Sequence, residues 1–222
     1  MFARTPLSTF AAIATLALAI GASTLVFSVL DAVLFRELPY RQPERLVAVW
    51  ESNARLGAME NVVSPANFLF WRDLNQSFSQ IAAVSPRFTG AVIAGRAAPE
   101  IVPLQVASAA LFPMLGVQPE YGRGFTEAEN KPNTHVVVVS HRYWRTRLGG
   151  KTSAIGQTIR IQGDPHSVIG VMPPRFSILD ADVDLWMPIG FSEESRIPRG
   201  RWLTVVARLR GEAMLASAQA DM

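Results

Sequence analysis

The chain contains no cysteine. That excludes a disulfide scaffold and a thiolate metal site, and it leaves the compartment open. Histidine is almost as scarce: His135, His141 and His166 are the only three. None falls in an H-x-x-x-H pair, so a zinc site has little support. Basic clusters are missing too. Net charge is +3, from 21 basic and 18 acidic residues spread evenly along the chain. No basic run interleaves with aromatics, which argues against nucleic acid as a partner. The sharpest absence is local: between Arg4 and Asp31 there is no charged residue at all.

What fills that gap, Thr5 to Leu30, is almost wholly Leu, Ile, Val, Phe, Ala and Gly. As a helix it would be roughly 39 Å long at 1.5 Å per residue, enough to cross a hydrocarbon core of about 30 Å with some tilt. We read residues 1–36 as an N-terminal segment with a transmembrane helix over about 7–30, seated in a lipid bilayer. A cleaved signal peptide would end near Ala17-Leu18-Ala19 or Gly21-Ala22-Ser23 and have an apolar core of about 7–15 residues. Here the apolar run continues past both sites through Leu25, Val26, Phe27, Val29 and Leu30, which favours a retained span. Ala14, Ala17, Gly21, Thr24 and Ser28 are small and spaced by three and four, so they share one helix face. In lipid such a stripe lets a partner helix approach closely. Arginines after the span blur the positive-inside signal. A short N-terminus inside and a large domain outside is still the expected orientation, since long domains translocate largely regardless of charge.

Beyond the span lie about 185 residues, room for one sizeable domain or two small ones. Pro39 and Pro43 break the helix. Arg45–Trp50 reads as a buried strand. Ser64-Pro65 opens a helix over 66–75, with Ser64 as N-cap and Phe68, Trp71 and Leu74 on its core face. Strands are predicted over 81–84, 91–94 and 100–108, the last carrying Pro103, which points to an edge or a bulge. A short helix, 109–115, ends at Gly116. His135–Ser140 is β-branched throughout and reads as a central strand buried on both faces. A helix over 142–148 stops at Gly149-Gly150. Strands 158–162 and 166–171 form a hairpin around Gly163-Asp164-Pro165. Further strands are expected at 184–187 and 203–210, with a helix beginning at Met214. The mixture lacks a regular βαβ rhythm. The fold class is therefore α+β: one transmembrane helix, then a mixed α/β extracytoplasmic domain over 37–222, in two lobes.

No catalytic, cofactor-binding or metal residues are assigned. Gly150-Lys151-Thr152 ends like a phosphate loop, but it follows a helix and lacks that loop's first glycine. Asp180, Asp182 and Asp184 open like a calcium loop, yet Leu185 stands where the glycine belongs and Phe191 where the glutamate belongs. A solvated strand face is the expected reading. No G-x-S-x-G or S-x-x-K is present.

Several motifs in order carry a family resemblance: TLALAIGASTLVFSVLDAVLFRELPY, SPANFLFWRD, ALFPMLGVQPEYGRGFTEAEN, VVVVSHRYWRTRLGG, IGQTIRIQGDPHSVIGVMPPRF, DADVDLWMPI and LTVVARLRG. Together they span essentially the whole chain. The chain resembles MacB-type, FtsX-like ABC transporter permeases, and most closely the duplicated orphan permeases of that group, often found in acidobacteria. The resemblance implies a first transmembrane helix plus a MacB-like periplasmic core domain. It implies further permease helices, a separate ATPase subunit and a periplasmic adaptor as partners, no cofactor, no catalysis, and residence in the bacterial inner membrane. It also implies that the domain is truncated at its C-terminal end, because Met222 falls inside the helix leading to the remaining spans. Gly211-Glu212 and Lys151-Thr152-Ser153 depart from the family pattern as loop changes. The leading expectation is thus a non-catalytic permease fragment, an anchor plus a coupling domain, in efflux or export. The alternative is a single-span, membrane-anchored periplasmic binding or sensor module.

Overall fold

The computed structural model describes residues 6–30, 40–53, 57–86, 88–93, 99–178, 182–211 and 213–221. It divides into two compact units, Met1–Pro39 and Tyr40–Met222.

The first unit is a single helix, α1, Pro6–Leu30, 25 residues long. Pro6 suits the opening turn, where its missing N–H is no loss. Phe10, Ile13, Leu16, Leu18, Ile20, Leu25, Val26 and Phe27 are all exposed on it. Counted over the described residues, no helix is long and apolar enough to cross a membrane.

The second unit is built on one mixed sheet. Its strands are β1 (Leu46–Val49), β4 (Phe78–Val84), β5 (Phe88–Ile93), β6 (Glu100–Ala107), β7 (Tyr121–Gly122), β8 (Val136–Val139), β9 (Thr158–Ile161), β10 (Asp164–Val171), β11 (Leu185–Pro188) and β12 (Thr204–Leu209). A separate hairpin pairs β2 (Glu51–Asn53) with β3 (Ala58–Asn61). The strand order is β1-β12-β4-β6-β11-β8-β10-β9-β5, and β5 pairs again with β6. Six strands therefore close on themselves, and β4, β12 and β1 extend from them as a wing. The β6–β11 and β8–β10 pairs are parallel.

Two lobes were expected, and the sheet shows why one unit results. Strand β6 belongs to both halves. It meets β4 through a single ladder pair, Val84 with Ala107, and buried serines continue the seam. The Ser108 hydroxyl accepts the Ala83 N–H at 3.0 Å and the Ser85 hydroxyl accepts the Val106 N–H at 3.0 Å. Gln105, 2% exposed, donates to the Ser85 carbonyl and accepts from the Trp186 indole. The buried side-chain polar atoms described in this seam all have partners, as burial demands.

The helices follow from local chemistry. In α2, Pro65–Leu74, the Ser64 hydroxyl accepts the Asn67 N–H, the predicted cap. Its core face differs from expectation: Phe68 and Leu69 are buried, whereas Leu74 is exposed. α3, Leu111–Leu115, ends at Gly116 in a left-handed conformation, φ 73. α4, His141–Arg147, is capped by Ser140 and stops at the glycine pair. α5 is Leu215–Ala220. Pro103 lies on an interior strand, not an edge. The β5 partner bulges between Thr89 and Ala91 opposite it, which accommodates the missing N–H. The β9–β10 turn is Gln162-Gly163, both at positive φ, so Asp164 and Pro165 join the strand instead of the turn. Val137, Val138 and Val139 are fully buried, Val137 and Val139 in the cluster with Leu104, Ile161 and Leu185, and Val138 on the other face with Phe112 and Trp186.

Candidate functional site

The small residues of the sequence-assigned packing face, Ala14, Ala17, Gly21, Thr24 and Ser28, all lie within α1. A Cβ added at Gly21 would meet nothing within 4 Å. The Thr24 hydroxyl donates back to the Ile20 carbonyl at 2.8 Å, so its polarity is satisfied within the helix.

The residues weighed for chemistry are occupied by structural work. His166 Nδ1 bonds the Asp164 carbonyl at 3.0 Å, and the His135 ring rests against it. His141 meets Trp144 edge to face and lies 3.9 Å from Glu120. The Lys151 carbonyl accepts the Trp144 indole N–H. Asp184 is buried rather than solvated. Its carboxylate accepts from the Ser140 hydroxyl at 2.9 Å and from Arg142, which also reaches Asp182 at 2.6 Å. Asp180 lies outside the described residues. Among the described residues, no group of three or more acidic or histidine side chains could hold a metal.

Two other places concentrate interactions. The first is where the chain enters the second unit. Arg208 on β12 is 8% exposed, and among the described residues no carboxylate is one of its hydrogen-bond partners. Its guanidinium donates instead to backbone carbonyls: Met114 at 3.0 and 2.7 Å, Gln42 at 3.1 Å, and Arg41. A cation against the last carbonyls of α3 meets the negative end of that helix. Burial, then the nearby Arg41 and Arg45 cations, lowers the Arg208 pKa from the ordinary guanidinium value. The Arg41 N–H donates to the Leu115 carbonyl at 3.0 Å, and the Tyr40 hydroxyl to the Ser177 carbonyl at 2.8 Å. Arg45 reaches the Leu209 carbonyl. Residues 40–45 are thus pinned to α3 and β12. At the other end of the unit, the Asp221 carboxylate accepts the N–H groups of Gln76 and Ser77 at 2.8 and 3.0 Å.

The second place is a cleft of about 690 Å³ lined by residues of β1, β2, α2, β4 and α5, with Trp50, Trp71 and Phe78 among them. At its side Glu51, 7% exposed, accepts the Ser64 N–H at 2.7 Å, the Asn67 amide at 2.8 Å and the Arg201 guanidinium. Burial raises the Glu51 pKa, but these donors outweigh it and hold the carboxyl below its ordinary range. Sequence reasoning missed both places. A lone arginine in a strand and a glutamate beside a loop carry no motif.

Residues 9–222 match the MacB-like periplasmic core domain family. The chain belongs to that family. No curated protein matches it. Among solved structures it is similar to a domain of a permease protein from Porphyromonas gingivalis, with TM-score 0.62 and 16% identity over 80% of this chain and 81% of that one. It is also similar to the extracellular domain of the noncanonic ABC-type transporter YknZ from Gram-positive bacteria, with TM-score 0.56 and 15% identity over 78% of this chain and 88% of that one. The periplasmic region of MacB from Actinobacillus actinomycetemcomitans gives TM-score 0.55 and 15% identity over 79% and 78%. These likenesses establish the mixed α/β fold of MacB periplasmic domains. MacB-like core domains are extracytoplasmic parts of transporter permeases and are generally non-catalytic, so the chain is a transporter component.

Proposed function

We propose that the chain is the first membrane span and the coupling domain of an ABC transporter permease working in export, of the orphan kind its motifs resemble. The observation that carries this reading is where the family match begins: at residue 9, inside α1. The helix is thereby part of the family unit rather than an unrelated anchor. In this reading α1 crosses the inner membrane, residues 37–222 stand in the periplasm, and the small face of Ala14, Ala17, Gly21, Thr24 and Ser28 packs against other permease helices. A cytoplasmic ATPase supplies the work and a periplasmic adaptor receives it. The pinned segment 40–45 favours transmission, because a fixed attachment passes displacement to the sheet instead of absorbing it.

The chain lacks cysteine, so single-cysteine labelling tests the topology cleanly. Leu18→Cys and Arg199→Cys would be probed with a membrane-impermeant maleimide in cells whose outer membrane has been permeabilised. The expected result is labelling at 199 and protection at 18 until detergent is added. Equal labelling at both positions before detergent would sink the membrane-spanning reading. The anchored binding module is the second reading, and the aromatic cleft is what favours it.

A further inference from the structure

The cleft of about 690 Å³ runs along β1, where the sheet ends. Side chains on a strand alternate between its two faces, so a cavity against one face touches every second residue. This cleft is lined by Val47, Ala48, Val49, Trp50, Glu51 and Ser52 in unbroken succession. Val47, Ala48 and Val49 are consecutive on β1, so the cleft reaches both faces of that strand, as an approach along its edge does, and Trp50 to Ser52 carry the lining on into β2. Strand β1 ends the sheet: it pairs with β12 on one side, and among the described residues no strand pairs with the other. Unpaired N–H and C=O groups on an edge strand are a template for another strand. Ala48 is exposed and Trp50 is 41% exposed, so the edge is open to solvent. The cleft's volume lies within the range usual for ligand sites, about 300–1,000 Å³.

Charge selects the occupant. Three charged residues line the cleft: Glu51, Glu60 and Arg201. Glu51 and Arg201 neutralise one another. Glu60 is exposed and, among the described residues, has no ion-pair partner, so the described lining carries one net negative charge. We infer that β1 is a docking edge for an extended, basic peptide segment, which adds to the sheet as a strand by backbone hydrogen bonding. Its apolar side chains lie on Trp50 and Trp71, and a lysine or arginine faces Glu60. This mode of recognition takes affinity from the main chain and selectivity from the flanking side chains. It holds whether or not α1 crosses a bilayer.

The test uses the full chain in detergent micelles and a fluorescein-labelled hexapeptide alternating valine and lysine, followed by anisotropy. Saturable binding is expected. Methylating alternate peptide nitrogens keeps every side chain and removes the ladder, and should weaken binding at least tenfold. Replacing lysine by glutamate in the peptide, or making Glu60→Gln in the protein, should weaken it several-fold. Glu60 is on the surface, so that variant tests the site without disturbing the core. The inference fails if no saturable binding is seen up to millimolar peptide, or if the methylated peptide binds equally. It fails too if the chain self-associates in a way the peptide does not compete with, since the edge would then belong to a second copy.

Discussion

Arg208 on β12 donates twice to one carbonyl, that of Met114 in the last turn of α3, at 3.0 and 2.7 Å. The remaining donors hold Arg41 and Gln42. One buried side chain therefore fastens the start of the second unit to β12 and the end of α3. Removing it would take both side-chain donors from the buried Met114 carbonyl and one each from the part-buried Arg41 and Gln42 carbonyls, of which Gln42 keeps the Arg45 N–H. An unsatisfied buried polar group costs about 1–3 kcal/mol. Arg208→Met should therefore lower stability by at least about that amount, read as a fall in denaturation midpoint. Arg208→Lys keeps the charge but not the planar fork, and should recover only part of the loss. A midpoint unchanged in Arg208→Met would mean that the contacts are incidental.

The same attachment depends on a glycine. Gly116 sits at φ +73, and a Cβ there would lie 2.4 Å from the Arg41 Cβ. Gly116→Ala must strain its own backbone and push Arg41 away. We expect destabilisation of about 1–3 kcal/mol, the usual cost of an imposed backbone conformation. The effect should be less than additive with Arg208→Met, because both changes release residues 41 and 42. A double-mutant cycle measures this directly, and strict additivity would refute the coupling.

Acid should unmake a different tie. Arg123 grips Glu129 through two hydrogen bonds, at 2.8 and 2.7 Å. That grip, helped by Thr126, lowers the Glu129 pKa from 4.5 to about 2 despite partial burial. A carboxyl lowered in the folded state stabilises it above the unfolded pKa and loses that contribution as pH falls through the folded one. Stability should therefore decline between about pH 4.5 and pH 2. Glu129→Gln should flatten this part of the urea-midpoint profile. A profile of unchanged slope in the variant would assign the acid sensitivity elsewhere, for instance to Glu51 or Asp73, whose pKa values are also lowered.

For the membrane helix, the proposal of a packing face separates the two functional readings. Ala17→Leu with Gly21→Leu fills the narrow side of α1 and should reduce helix association several-fold, measured by crosslinking in membranes. Leu18→Ala should change it little. An isolated anchor would tolerate the leucines without loss of association or activity.

Much of the fold was legible because it is written in local chemistry. Ser64-Pro65 and Ser140 announce helix starts, Gly116 and the pair Gly149-Gly150 announce stops, and Val136–Val139 can only be a buried strand. What escaped depends on partners distant in sequence. Leu69 replaced Leu74 on the core face of α2 because side chains such as Phe191 pack against that helix. Asp184 looked solvated until Ser140 and Arg142, some forty residues earlier, were beside it. Two lobes were expected because no pattern reveals that one strand, β6, serves both sides of the sheet. Of the candidate sites, the α1 stripe is visible in spacing alone. The Arg208 attachment and the β1 cleft exist only once the chain is folded.

Among the described residues, the ring of strands is joined at β5 and β9 through one residue pair, Ile93 with Ile161, and a backbone bond from Gln162 to Val92. Such a thin closure is the natural place for the barrel to unzip. Amide protons of Val92, Ile93, Ile161 and Gln162 should trade with deuterium well before those of Val137, Val138 and Val139 on the opposite wall. A domain sewn this unevenly can loosen on one flank while the side anchored by Arg208 keeps its shape.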